Sequence, residues 1–138
     1  MFKLKKRTKI ILIIILAIIA VSVTGFVILV NRMESNLEKL MTLDIKNINL
    51  SSVPDGKYSG SYSSFPVSAK VEVTVRNHEI VDIELIEHNH GRGEAAEVIP
   101  EKVVEAQSLK VDIITSATYS SKVILKSIEN ALSNVNDN

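Results

Sequence analysis

Polar and apolar residues alternate most regularly in the middle of the chain. Every second residue of the stretch 69–75 is alanine or valine, and a second alternating stretch covers residues 81–85. Because side chains two residues apart lie on the same face of a strand, both stretches predict half-buried strands. Between them, Asn77 and His78 predict a tight hairpin turn, since Asn77 tolerates positive φ and His78 is expected to share that conformation.

Weaker patterns predict further strands. The segment from Gly56 to Ser63 is rich in serine and contains two tyrosines. It predicts a strand that pairs with the hairpin, which gives an antiparallel sheet with one face in solvent. Short apolar segments at Ile45–Leu50 and Leu109–Ile114 also predict strands.

Helical patterns surround the predicted sheet. Apolar residues recur at helical spacing over residues 117–132, so this segment predicts an amphipathic helix with Thr118 in its first turn. Residues 94–98 are helix-prone, and a proline begins the segment 100–107, so the two segments predict two short helices or one kinked helix. The polar residues 133–138 predict a frayed tail. The fold class expected is therefore α+β, with a small antiparallel sheet packed with helices.

The N-terminal part of the chain has a different composition. Five basic residues precede Ile10–Val30, a run of 21 residues without a charge. At about 1.5 Å per residue, this run is long enough to cross a hydrocarbon core of about 30 Å. It is longer than the apolar region of a signal peptide, which favours an uncleaved transmembrane helix over residues 10–30. The basic residues predict that segment 1–9 is cytoplasmic and that the remainder of the chain, residues 31–138, lies outside the cytoplasm.

Residues 31–52 are expected to link the membrane helix to a soluble domain over residues 53–138. Apolar residues in the first part of this linker share one helical stripe, so the membrane helix either continues outward, or packs on a partner, or gives way to a solvated stalk. Turn-forming residues near Pro54 place the boundary of the domain. The stripe consists of Met33, Leu37, Leu40 and Met41.

Charge and cysteine content exclude several classes of function. All 16 acidic residues follow residue 30, together with 11 of the 16 lysine and arginine residues, so this part has a net charge of about −5. A negative domain argues against nucleic acid as a partner. The chain has no cysteine, which excludes disulfides, thiolate metal sites and a lipid-modified cysteine anchor.

Small hydroxyl residues are concentrated between Asp112 and Ser121. Thr118 lies where the unpaired N–H groups and the positive end of the helix dipole attract an anion such as phosphate. Asp112 is placed to hold a divalent cation against that phosphate. From the residues alone, helix capping by Thr115, Ser116 or Thr118 is the simpler interpretation, although no Glu or Gln completes a capping box.

The segment from Asp112 to Thr118 resembles the flavinylation motif of the FMN-binding domain family, Asp-x-x-Ser/Thr-Gly/Ser-Ala-Thr, in which the last threonine is esterified to the phosphate of FMN. Ser116 stands where glycine is commonest in the family. The resemblance extends over residues 53–133 and implies that Thr118 carries FMN covalently. Further segments similar to the family, in its order, are Val53–Gly60 as the first strand, His88–Glu94 as a glycine loop and Pro100–Gln107 as the middle helix.

The same resemblance implies which residues surround the flavin. Gly91 and Gly93 would let the loop backbone approach it, and His88, His90 or Arg92 would offer hydrogen-bond donors to the ring carbonyls or the phosphate. A His-x-His pair also suggests a metal, but the sequence shows no evident third and fourth ligand, so we expect no metal in the mature protein. The cofactor-binding residues predicted are Thr118, Asp112, Thr115, Ser116, Ala117, Tyr119, Ser120, His88, His90, Gly91 and Gly93, with Asp112 also a candidate metal ligand during flavin attachment.

The resemblance implies an electron-transfer flavoprotein held in the membrane by residues 10–30 and displaying its flavin outside the cytoplasm. A separate flavin transferase that uses FAD and magnesium would attach the FMN, and a redox partner protein or a quinone would exchange electrons with it. The cofactor supplies the redox chemistry in such proteins. Two alternatives are a non-redox binding module with Thr118 unmodified, and a subunit of a larger membrane oxidoreductase complex.

Overall fold

The protein is represented by a computed structural model, which describes residues 5–133 and residue 135. The first four residues of the predicted cytoplasmic segment lie outside the described residues, as does most of the predicted C-terminal tail. The chain divides between Ser35 and Asn36 into two compact units.

The first unit is formed by the long helix α1 (Lys6–Met41), whose last turns belong to the second unit. Large apolar side chains on all sides of α1 are exposed, including Val21 at 73% and Phe26 at 67%. A helix that is apolar all round is typical of a membrane span. Within the part of the chain that the structure describes, α1 is the one helix long and apolar enough to cross a membrane.

The second unit contains an antiparallel sheet, as predicted. Its described strands are β1 (Gly56–Ser64), β2 (Val67–Arg76) and β3 (Glu79–Asn89), in the order β1-β2-β3. The hairpin between β2 and β3 turns at Asn77 and His78, with φ of 50° and 62°. Two successive residues with positive φ match the right-handed twist of the strands, so this prediction is confirmed. The valines of the central strand β2 form one wall of the core and are fully buried at Val71, Val73 and Val75.

Two short helices follow the sheet, which confirms the first of the two alternatives predicted for this segment. A 3-10 helix covers Glu94–Val98, and α2 covers Ile99–Ala106. Helix α2 is followed by its C-cap residue Gln107, which has a φ of 50°. The Gln107 side chain accepts a hydrogen bond from Ile80 N at 2.8 Å and donates one to Ile80 O at 2.7 Å. It therefore takes the place of a neighbouring strand and joins α2 to the free edge of β3.

Helix α3 (Thr118–Ser133) packs on β1 and β2 and closes the core. Its apolar face contributes buried residues such as Ile124, Ile128 and Leu132. The approach to β1 is close at Gly60, where an added Cβ would lie 2.1 Å from Ser127 O and 2.4 Å from Ala131 N. The absence of a side chain at Gly60 thus allows the backbone of α3 to lie directly on the strand.

The strands predicted at Ile45–Leu50 and Leu109–Ile114 were wrong. Among the described residues both segments lack strand structure, with a 3-10 helix at Leu50–Ser52 and a bend at Leu109. Their backbone donors pair with side chains: Lys46 N donates to Glu129 Oε2 at 3.1 Å and Leu109 N donates to Asn47 Oδ1 at 3.0 Å. Their apolar residues pack against the core, so the hydrophobic pattern reflected packing rather than a place in the sheet.

The predicted linker contributes to the second unit. Helix α1 continues to Met41, and Leu40 is only 1% exposed within the core. Lys122 Nζ donates to Met41 O at 2.7 Å and to Leu43 O at 2.9 Å, so a side chain of α3 satisfies carbonyl groups where α1 ends. The compact unit accordingly begins at Asn36, earlier than the boundary expected near residue 53.

Candidate functional site

A cleft of about 390 Å³ lies at the N-terminal end of α3, a size common for ligand sites. The loop after β3 forms one side, and residues from the end of α1 and the start of β2 form another. The cleft brings together eight of the predicted cofactor-binding residues, which are Gly91, Gly93, Thr115, Ser116, Ala117, Thr118, Tyr119 and Ser120.

Thr118 is the first residue of α3 and is partly buried in the cleft. A 3-10 helix at Thr115–Ala117 precedes it, with Ala117 N donating to Ile114 O at 2.8 Å. Thr118 Oγ1 donates to Thr115 O at 3.2 Å, a bond on the protein surface. The prediction that Thr118 lies in the first helical turn is confirmed. A phosphate on its hydroxyl would lie in the positive field of the helix terminus.

Ser121 holds the entry into α3 in place. Its side chain is fully buried, and its Oγ accepts a hydrogen bond from Ile114 N at 3.1 Å. This bond joins the extended chain before the 3-10 helix to the first turn of α3, and so fixes the position of Thr118. Sequence reasoning did not single out Ser121, because a buried serine that anchors a turn cannot be distinguished by pattern from the other serines around it.

Gly93 brings the loop after β3 against the start of α3. A Cβ at Gly93 would lie 1.9 Å from Ser120 Oγ and 2.7 Å from Ser120 Cβ, so no larger residue fits without a shift. Gly91, by contrast, has nothing within 4 Å of an added Cβ. The absence of a side chain at Gly93 therefore allows the loop to contact the helix, whereas a side chain at Gly91 would point into open space.

The two predicted histidines are close to the cleft, but they are not among the described residues that line it. His88 Nδ1 lies 2.9 Å from Glu97 Oε1 and His90 Nε2 lies 3.6 Å from the same oxygen. Arg92, the third candidate donor, does line the cleft. The geometry thus favours Arg92 over His88 and His90 as the basic side chain that faces a ligand.

Asp112 is exposed and lines a separate depression together with residues of α2 and the chain that follows it. It is absent from the described lining of the cleft at Thr118. Its predicted role is to position a metal during flavin attachment, which would involve a second protein, and that role stays a prediction.

Apolar side chains that sequence reasoning did not assign to the site form one wall of the cleft. They are Leu37 and Met41 from the last turns of α1, with Val67 from the start of β2. The first two belong to the stripe predicted from helical spacing, which was the available signal. Hydroxyl groups at the start of α3 line the same cleft. The cleft therefore suits a ligand that carries both a phosphate and a flat apolar ring, and FMN has both features.

The geometry is that of a ligand-sized cleft on an α+β domain. Residues 67–133 match the family model described as FMN-binding domain. The match runs from the start of β2 to the end of α3 and contains every predicted cofactor-binding residue, and we identify this segment as an FMN-binding domain. A comparison with curated proteins finds no match.

Proposed function

We propose that this protein carries FMN as a phosphoester on Thr118 and transfers electrons at the outer surface of a cell membrane. The observation that carries the proposal is the position of the Thr118 hydroxyl. It lies in the first turn of a 16-residue helix, inside a cleft with one apolar wall, within an FMN-binding domain.

Attachment is a phosphoryl transfer that a separate flavin transferase performs with FAD and Mg²⁺. Thr118 Oγ1 attacks the phosphorus of the FMN half of FAD, and the pyrophosphate bond to the AMP half breaks. AMP leaves, and the hydroxyl proton passes to a base. The hydrogen bond from Thr118 Oγ1 to Thr115 O must open for this step, and it lies on the surface where its loss costs little.

Residues around Thr118 then hold the phosphate end of the ligand. The start of a helix carries a partial positive charge that attracts a phosphate on a first-turn residue such as Thr118. Ser116 and Ser120 lie in the same cleft, and Arg92 adds a positive charge to it. Together these groups compensate the remaining charge of the phosphodiester, so the attached group keeps one position.

The apolar wall holds the other end of the ligand. Leu37, Met41 and Val67 offer a surface on which a flat ring can lie. Met is adaptable and packs well against aromatic rings. Bound FMN supplies the redox chemistry, while the protein supplies attachment, orientation and electrostatic tuning. The electron partner that we propose is a redox protein or a quinone at the membrane.

The N-terminal sequence supports the location. The basic residues that precede the apolar span of α1 favour a cytoplasmic N-terminus, and after one span the FMN-binding domain would then lie outside the cytoplasm. A covalent bond is useful there, because a flavin that dissociated outside the cell would be lost by dilution.

In-gel fluorescence tests the proposal. The full chain is produced with and without a flavin transferase, denatured, and separated by electrophoresis. We expect flavin fluorescence on the polypeptide only with the transferase, and no fluorescence for Thr118→Val. Thr42→Val is the matched control, because it removes an exposed threonine hydroxyl that belongs neither to the motif nor to the lining of the cleft, and it should keep the fluorescent band. A wild-type chain without fluorescence would contradict covalent attachment and would favour a non-redox binding module.

A further inference from the structure

Two histidines and a glutamate that the flavin site does not use converge beside it. His88 lies near the end of β3, His90 in the loop that follows, and Glu97 in the 3-10 helix Glu94–Val98. One ring nitrogen of each histidine and one carboxylate oxygen lie within 4.8 Å of one another. The histidine rings are 4.3 Å apart between centroids. The folded chain thus supplies the third ligand that the His-x-His sequence alone did not show.

The cluster is partly buried but open on one side. The His88 side chain is 3% exposed, His90 is 23% exposed and Glu97 is 44% exposed. His88 Nε2 is buried without a hydrogen-bond partner. The other nitrogen of this ring, Nδ1, is the one that faces Glu97 Oε1, at 2.9 Å. The exposed carboxylate gives an ion a path into the cluster.

We propose that His88, His90 and Glu97 bind one divalent transition-metal ion, with Zn²⁺ as the representative case. Two imidazoles and one carboxylate form a ligand set that zinc accepts, with water or the second Glu97 oxygen in a further position. Ligands at about 2.0–2.2 Å from zinc in a tetrahedron are roughly 3.3–3.5 Å apart. The distances from Glu97 Oε1 to His88 Nδ1 and His90 Nε2, 2.9 Å and 3.6 Å, lie on either side of that range.

Metal binding changes a hydrogen bond at the flavin cleft. Gly93 N donates to His90 Nδ1 at 3.1 Å, which requires a lone pair on Nδ1 and a proton on Nε2. When Nε2 binds the metal, the ring proton moves to Nδ1, and the bond from Gly93 must open. His88 changes tautomer in the same way, so no net proton is released. The ion therefore frees the N–H group of Gly93, a residue that lines the cleft.

Metal titration of the full chain in detergent micelles tests this proposal. The Thr118→Val variant is used, because it carries no flavin phosphate that could bind metal, and the affinity tag contains no histidine. We expect one Zn²⁺ per chain in competition with a chromophoric chelator. Glu97→Gln and His90→Gln should each weaken binding at least tenfold, as loss of a ligand does. Both side chains are partly exposed, so both variants are expected to fold.

Matched controls exclude binding elsewhere. Glu94→Gln changes an exposed carboxylate in the same 3-10 helix, and His78→Gln removes the histidine of the β2–β3 turn. Both should bind one Zn²⁺ as tightly as the parent. The proposal is overturned if no 1:1 binding occurs, or if Glu97→Gln and His90→Gln bind as the parent does. In either case the cluster would be a hydrogen-bonded network only.

Nuclear magnetic resonance of labelled glycine amides tests the change at Gly93. The chain has five glycines, and Arg92-Gly93 is its one Arg-Gly pair, so paired labelling assigns the signal. Zn²⁺ should shift the Gly93 amide and leave the Gly60 amide in place. A bound ion with an unchanged Gly93 signal would overturn the proposed coupling to the cleft.

Discussion

The first turn of α3 and the second half of the same helix contact the rest of the protein in different ways. In the second half, the α3 backbone lies against β1 at Gly60, and Ser127 and Leu132 are fully buried. In the first turn, Thr118 is partly buried and its hydroxyl makes one surface hydrogen bond. The second half is therefore specialised for stability, whereas the first turn presents reactive and polar groups to a ligand.

The difference shows how one helix can serve both purposes. Close packing of the second half fixes the axis of α3, and the buried bond between Ser121 Oγ and Ile114 N fixes where the helix begins. The first turn is positioned by its buried residues Ser120 and Ser121, which leaves Thr118 only partly buried. Stability and flavin attachment should accordingly respond to different substitutions.

The largest effect on stability is expected for Gly60→Ala. The added Cβ would lie 2.1 Å from Ser127 O, and the contact is with backbone that cannot move without shifting α3. We expect the free energy of unfolding to fall by about 3 kcal/mol, which lowers the unfolding midpoint by more than about 10 °C. Thermal unfolding of the full chain in detergent, followed by circular dichroism, measures this. Gly91→Ala is the control and should leave the midpoint unchanged, because its Cβ would meet nothing within 4 Å.

The next effect is expected for Gly93→Ala, at the border between the two regions. The added Cβ conflicts with Ser120, so the loop and the first turn must separate. We expect a loss of about 2 kcal/mol in stability, together with reduced flavin attachment. The double variant with Ser120→Gly removes the conflicting atoms and should be more stable than the sum of the two single changes predicts. Strictly additive changes would show that the contact does not limit the site.

A smaller effect is expected for Ser127→Ala in the packed half of α3. Ser127 Oγ is within hydrogen-bond distance of Val123 O, at 2.8 Å, and of Ala69 O, at 3.1 Å. Loss of this buried donor should cost about 1 kcal/mol in the free energy of unfolding without affecting flavin attachment. Ser63→Ala, on the exposed side of β1, should change stability by less than about 0.5 kcal/mol. Any loss of attached flavin in Ser127→Ala would contradict the separation of the two regions.

Much of the fold could be predicted because its signals are local. Alternation in β2 and β3, the positive φ expected at Asn77, and the helical spacing that begins near Ala117 each depend on residues close in sequence. The strands predicted at Ile45–Leu50 and Leu109–Ile114 were wrong for the opposite reason. Their backbone partners are side chains far along the chain, such as Asn47 for Leu109 and Glu129 for Lys46.

The candidate site was predictable where one motif contains it. Residues 115–120 lie together in the cleft because they form one turn and the start of one helix. Its apolar wall comes from Leu37 and Met41, about 80 residues earlier, and the partner of the two histidines is Glu97. Helical spacing marks Leu37 and Met41 as apolar, but the residues that they and the histidines meet have no local sequence signal, because each contact depends on how separate elements pack.

Thr118→Val should have the smallest effect on stability and the largest on chemistry. The decisive measurement combines intact mass under denaturing conditions with the unfolding midpoint, for the full chain made with the flavin transferase. We predict that the wild type gains the mass of one FMN minus water, and that Thr118→Val gains no mass. When both proteins are made without flavin, their free energies of unfolding should differ by less than about 0.5 kcal/mol. An FMN adduct on Thr118→Val, or a wild type without one, would contradict Thr118 as the attachment residue.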